Sequence, residues 1–237
     1  MKSNIQSIEL LERKNIPLNR KIFFGRSKSG DAVAMNRLHL ELNGRPWLPP
    51  MGEFQYSRYP AELWENEIRK IKAGGVEIVP TYVFWIHHEE EEGVFDWTGR
   101  RNVRRFVELC RKHGLWVIMR LGPFCHGEAR NGGIPDWLFG RSFEVRSNAP
   151  EYLRYVKRLY GEIARQLKGL MFKDGGPIIG IQCDNEFMDS SSPWETTQNT
   201  AMLYTPKGKG GIRHMLNLKR LAIGAGYGFV MTKQGSV

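Results

Sequence analysis

Long apolar runs are missing from this chain of 237 residues. No stretch reaches the roughly 18 consecutive apolar residues of a membrane-spanning helix, so a helical span is excluded. The opening residues, MKSNIQSIELLERKNIPLNR, hold no continuous apolar core of the kind a secretory signal needs. Cysteine is scarce, and Cys110, Cys125 and Cys183 have no CxxC spacing. Three such thiols without a leader suggest reduced cysteines in a cytoplasmic protein, not a disulfide framework or a zinc knuckle. GxGxxG and GxxxxGKS/T are absent, which removes most support for a nucleotide-binding loop. HExxH is absent too. The run His87-His88-Glu89-Glu90-Glu91-Glu92 lacks metal-ligand spacing and is expected to be a solvated loop, so neither metal nor cofactor is called for. Core-forming residues are not scarce: 41% of the chain is hydrophobic and 25% charged, which excludes disorder as the main state.

Acidic residues are outnumbered, 25 against 35 Lys and Arg, for a formal charge of +10. That balance raises nucleic acid as a partner. The basic residues are spread along the chain, however. The densest group, Arg100, Arg101, Arg104, Arg105, Arg111 and Lys112, flanks or lies on one amphipathic helix, and no zinc-finger, RNP or helix-turn-helix pattern accompanies it. A basic solvated surface is the expectation, with no nucleic-acid or membrane partner.

Residues 1–35 read as a polar peripheral segment containing an SKSG turn, and residues 36–237 as the main domain. Residues 36–48 alternate like a hairpin, with Asn43-Gly44 as its turn. Beyond them, strand-like and helix-like runs alternate. Strands are expected at Leu48–Tyr56, Val76–Val83, Trp116–Leu121 and Pro177–Ile181, with a weaker fifth at Phe229–Thr232. Helices are expected over Ala61–Ala73, Arg101–His113, Glu151–Lys168 and Ile212–Ala225. This alternation predicts an α/β fold with a parallel sheet and helices on its faces. The first two helix-to-strand links are tight, whereas the later strand-to-helix links run to about 17, 28 and 30 residues, lengths that are usually functional. A (β/α)8 barrel builds its active site from such loops. At about 45 residues per repeat, eight repeats would need about 360 residues, so the expected fold is a (β/α)8 TIM barrel truncated after about strand five.

Two carboxylates stand just past strand ends. Glu186 follows Asn185 in GPIIGIQCDNEF, and Glu128 lies in RLGPFCHGEARNGG. Glycoside hydrolysis needs a pair of carboxyl groups, one of them held protonated so that it can donate to the leaving oxygen. An Asn beside that acid can reach the sugar 2-OH. Phe54, Tyr56, Tyr82, Phe84, Trp85, Phe124 and Trp137 cluster at the same strand ends, as sugar-stacking faces or as core.

From about Gly44 to Phe187 the chain resembles glycoside hydrolase family 35, the retaining β-galactosidases. The resemblance lies in GEFQYSRYPAELWENEIRKIKAGGVEIVPTYVFWIHHE, GVFDWTGRRNVRRFVELCRKHGLWVIMRLGPFCHGEARNGGIPDWL and GGPIIGIQCDNEF, in that order. It implies a general acid/base at Glu186, sugar contacts from Asn185 and Tyr82, and hydroxyl binding by Glu128 and the Gly127 backbone. It also implies hydrolysis of terminal β-galactose, a β-galactoside or related oligosaccharide as ligand, and no cofactor or metal. The family usually reads IENEYG where this chain has CDNEFM, so Cys183, Asp184, Phe187 and Met188 are atypical. His126 and Gly127 stand where many members have Cys-Ala or Asn-Ala. The family's nucleophile, a second Glu, lies about 80 residues after the acid, past Val237, and is expected to be absent from these residues. Two rivals are a non-catalytic sugar-binding protein on the same scaffold and a basic nucleic-acid-binding protein.

Overall fold

In the computed structural model, described for residues 23–36, 38–126, 128–185 and 210–227, Asn43 and Gly44 both adopt positive φ, 54° and 78°. That is what a two-residue hairpin turn demands. The turn joins Leu40–Leu42 (β3) to Arg45–Trp47 (β4). Phe23–Arg26 (β1) and Ala32–Met35 (β2) extend the hairpin into a four-stranded antiparallel sheet, β1-β2-β3-β4. The segment read as peripheral therefore supplies two strands, with Ser27–Gly30 as the turn between them.

Ile78–Tyr82 (β5), Trp116–Arg120 (β6) and Ile178–Gln182 (β7) form a parallel sheet in that order. The expected first strand runs alongside β5 but is ladder-bonded at Met51 alone. Gly52 N–H donates to the Ile78 carbonyl and Phe54 N–H to the Pro80 carbonyl, both at 3.1 Å. Pro80 itself has no N–H to return, so the ladder breaks in its middle. Between β6 and β7 the register slips by one residue after Val117. This bulge turns both Ile178 and Ile181 toward the helices, while Ile179 packs on the opposite face.

The helices are Trp64–Ala73 (α1), Trp85–His88 (α2), Val103–Lys112 (α3), Pro150–Gln166 (α4) and Gly210–Gly224 (α5). Asn102 caps α3 by accepting the Arg105 N–H at 2.9 Å, and Pro150 opens α4 where its missing N–H costs nothing. α3 buries Val103, Phe106, Val107 and Cys110, and α4 buries Tyr152, Val156, Leu159, Tyr160 and Ile163. These i, i+3, i+4 stripes meet Val79, Val83, Val117, Met119 and Ile181 in one core. A smaller cluster, Val33, Trp47, Ile78 and Phe172, packs the antiparallel sheet under the amino ends of the parallel strands. The expected strand Phe229–Thr232 lies outside the described residues.

Three members of the basic group at and before α3 are paired locally. Arg101 pairs with Asp96 at 2.8 Å and also with Glu90, Arg104 with Glu108 at 2.9 Å, and Lys112 with Glu65 at 2.6 Å. All three cysteines are buried and free; burial pushes the Cys110 and Cys183 thiols up to about 12. Among the described residues no helix is long and apolar enough to cross a membrane.

Candidate active site

Parallel register aligns the last residues of the three strands, Tyr82 with Arg120 and Arg120 with Gln182. All three point to the face away from the helices, at the carboxyl end of the sheet. Arg120 ties the row together. Its guanidinium carbon lies 3.6 Å from the centroid of the Tyr82 ring. Its Nε–H donates to Gln182 Oε1 at 3.2 Å and its Nη2–H to Asn185 Oδ1 at 2.9 Å. Nη1 pairs with Glu53, on the segment beside β5. Gln182 Nε2–H also donates to Asn185 Oδ1, at 3.1 Å. Gln55 Oε1 accepts the Tyr82 N–H at 3.0 Å, taking the place of a ladder carbonyl.

A second arginine holds the chain where it leaves β7. Arg146 comes from the long loop between β6 and α4. It donates to the Asn185 carbonyl at 2.9 Å and pairs with Asp184 at 3.2 Å, with side-chain exposures of only 4% and 0%. Its guanidinium lies 3.8 Å from the Phe124 ring centroid. Asp184 sits at φ 56°, its N–H bonded to the Gly122 carbonyl at 2.6 Å and its Oδ1 accepting the Asn185 N–H at 2.8 Å. Apart from Asn43, each described non-glycine residue at positive φ lies in the loop after β6 or just past β7: His126, Glu128, Asn131, Arg146 and Asp184. Backbone strain of this kind, about 1–3 kcal/mol per residue, collects at functional sites.

Of the residues singled out from sequence, Tyr82 and Asn185 meet on Arg120. Glu128 is exposed and lines a cleft of about 500 Å³ with Arg58, Ile86, His87, Glu90, Ala129, Arg130 and Asp136. Ala129 and Ile86 pack on the Tyr82–Phe84–Cys125 cluster, so the cleft opens beside that cluster. Glu186 and Gly127 lie outside the described residues. Sequence reasoning missed Arg120, Gln182, Glu53 and Arg146. The signal for the first two was present: WVIMR and IIGIQ each end an apolar strand on one polar residue, as IVPTY ends on Tyr82. Of the aromatic group, Tyr56, Tyr82, Phe84, Trp85 and Phe124 are buried, whereas Phe54 and Trp137 are half-exposed.

The His87–Glu92 run is not a solvated loop at its start, which corrects the expectation. His88 and Glu89 are buried. His88 Nδ1–H donates to the Phe84 carbonyl at 2.7 Å, which leaves Nε2 to accept from the Tyr56 hydroxyl at 2.8 Å. Glu89 accepts Trp85 Nε1–H at 2.6 Å and the Gly93 N–H at 2.7 Å, and it pairs with Arg158. No group of three or more His, Cys, Asp or Glu side chains placed to hold a metal occurs among the described residues.

Burial pushes His88 down to about 4, partly offset by its bond to Phe84. An unfolded histidine titrates near 6.5, so between these pH values the unfolded chain binds the extra proton. The contribution is fully present above pH 6.5 and is lost as pH falls toward 4; it is worth about 3 kcal/mol. His87, also lowered by burial and by Arg58, acts in the same direction. Melting temperature should therefore drop between pH 6.5 and 5, above the range of ordinary carboxylates. A His88→Gln variant should show a shallower drop, and a flat wild-type profile would contradict the assignment.

Polar side chains converging at the carboxyl ends of parallel strands mark the ligand-binding end of an α/β protein with helix-covered strands. The chain belongs to glycosyl hydrolases family 35, whose profile matches residues 39–217. It is 38% identical over 167 residues to an exo-β-D-glucosaminidase of Pyrococcus horikoshii, and 36% identical over 146 residues to a β-galactosidase of Bos taurus. The alignments take 61% of this chain in both cases, and 21% and 22% of the relatives. The chain thus spans about a fifth of the length of these curated relatives. An exo-β-1,4-mannosidase from Opitutaceae bacterium strain TAV5 shares the fold with a TM-score of 0.52 at 17% identity, over 85% of this chain and 31% of the mannosidase.

Proposed function

We propose that this chain carries the acid/base half of a retaining glycoside hydrolase that removes terminal β-galactose or a related β-sugar such as β-glucosamine. In this reading, residues 36–237 supply the first strand–helix units of a (β/α)8 barrel, and residues 1–35 are peripheral to it. Glu186 donates its proton to the leaving oxygen and later takes one from water. Asn185 holds the 2-OH, Tyr82 contacts the sugar, and Glu128 with the Gly127 backbone binds hydroxyls away from the scissile bond. The nucleophile is a second carboxylate on a later strand. The observation that carries the reading is the convergence of Tyr82, Arg120, Gln182 and Asn185 at one end of the sheet, with Glu186 next in sequence.

Titration of the chain with methyl β-D-galactopyranoside, followed by NMR, tests it. Saturable binding that Asn185→Ala weakens about tenfold, the scale of one good hydrogen bond to a ligand, is expected. Binding indifferent to Asn185→Ala, or none by the wild type, would overturn the assignment of this face. Binding of methyl β-D-glucosaminide in preference would move the substrate to the amino sugar.

A further inference from the structure

We infer that Arg120 is a positioning residue that sets the polarity of the Asn185 amide, an inference that rests on the carbohydrate reading of this face. Two donors, Arg120 Nη2–H at 2.9 Å and Gln182 Nε2–H at 3.1 Å, converge on one atom of that amide. Only an oxygen satisfies both; an NH2 group there would face two N–H groups. The orientation of Asn185 is therefore determined by its neighbours. Its oxygen is committed to the protein, and among the described residues its two N–H bonds meet no acceptor, so the side chain offers a sugar hydroxyl donors and no acceptor.

Arg120 can hold this arrangement because it is itself held on every side. Glu53 anchors Nη1, Gln182 Oε1 takes Nε–H, and the Tyr82 ring supports the plane of the guanidinium at 3.6 Å. A planar fork meets three oxygens and a ring face at once. A lysine ammonium on a flexible stem could keep the charge near Glu53 but not the other contacts. Gln182 depends on the same fork: with its Oε1 on Arg120, its Nε2 faces the Asp184 carbonyl at 2.9 Å and Asn185 Oδ1. The ends of the three parallel strands and the segment beside β5 are thus joined through one side chain, which is 14% exposed.

The test is a double-variant cycle on binding of methyl β-D-galactopyranoside, with Arg120→Lys and Asn185→Ala made singly and together and folding checked by the thermal transition. If Arg120 acts through Asn185, Arg120→Lys weakens binding about tenfold in the wild-type background and has no further effect once Asn185 is Ala. Equal losses in both backgrounds would mean that Arg120 touches the ligand or supports the fold generally, and would overturn the inference. So would unchanged binding in Arg120→Lys. Glu53→Gln, which keeps the shape and removes the anchoring charge, should give a smaller loss that also vanishes in the Asn185→Ala background; it decides the matter if Arg120→Lys does not fold. A wild-type chain that binds no sugar fails at the carbohydrate reading itself and takes the inference with it, whereas sugar binding indifferent to Arg120 fails the inference alone.

Discussion

Arg146→Met should lower the melting temperature by about 6–20 °C, making it one of the two most damaging single changes expected. Arg146 and Asp184 form an ion pair that is almost wholly removed from solvent. Such a pair adds little net stability, because each charge has lost its hydration. Breaking it is another matter: a buried carboxylate loses its opposite charge, at about 3–5 kcal/mol. For a chain of this size each kcal/mol moves the transition by about 2–4 °C. The loss has a local address as well, since Arg146 also holds the Asn185 carbonyl, the peptide that leads into Glu186. Removing the remaining charge as well, Arg146→Met with Asp184→Asn, should recover much of the stability, because an Asn side chain still accepts the Asn185 N–H and tolerates the positive φ of this position. A double variant no better than Arg146→Met would show that the guanidinium matters through Asn185 and Phe124 rather than through the charge of Asp184.

Gly176→Ala is the second. A Cβ at Gly176 would lie 2.0 Å from the Leu170 carbonyl oxygen and 2.1 Å from its carbon. These are backbone atoms, so no side-chain rotation relieves the collision. The same few residues seat β7: Gly176 N–H bonds to the Met171 carbonyl at 2.9 Å, and Ile178 N–H to the Leu170 carbonyl at 3.2 Å. Separating them displaces the strand that carries Gln182 and leads to Asn185. The expected cost is about 3 kcal/mol or more, the upper end for overpacking. Gly161 in α4 is the contrasting case. Nothing lies within 4 Å of the place a methyl group would take there, and a helical glycine gains from replacement. Gly161→Ala should stabilise by about 0.5–1 kcal/mol. Urea unfolding of the two variants checks both signs.

Much of the architecture was legible along the chain. The apolar runs that became β5, β6 and β7 stand out because strands covered on both faces need little alternation. The Asn43-Gly44 turn and the stripe Val103, Phe106, Val107, Cys110 are local signals as well. What escaped notice depends on partners far away in sequence. His88 and Glu89 look like part of an acidic surface run until Tyr56 and Arg158, 32 and 69 residues distant, come to meet them. Pairing of β1 and β2 with the hairpin depends on backbone bonds between segments that strands of only four residues do not announce. The expected first strand failed as a regular ladder because of a proline on its neighbour, Pro80. At the candidate site, chemistry drew attention to Asn185, Glu186 and Tyr82. The residues that hold Tyr82 and Asn185, Arg120 and Arg146, carry no motif of their own, and their roles emerge only when β6, β7 and the loop after β6 are brought together.

If these residues provide the proton-transfer half of a two-carboxylate glycosidase, release of nitrophenol from an aryl β-galactoside reports it. Retaining hydrolysis needs its two carboxyl groups about 5–5.5 Å apart. The 237-residue polypeptide should therefore turn over the substrate at the background rate. Fused in frame to the remaining strands of a family member, including that member's nucleophilic Glu, it should be active, and Glu186→Gln should cut that activity by about 10²–10⁴-fold, the range for general acid–base catalysis. Hydrolysis by the 237 residues alone that Glu186→Gln abolishes would contradict the proposal that the second carboxylate lies on a later strand. Activity of the fused protein untouched by Glu186→Gln would contradict the acid itself.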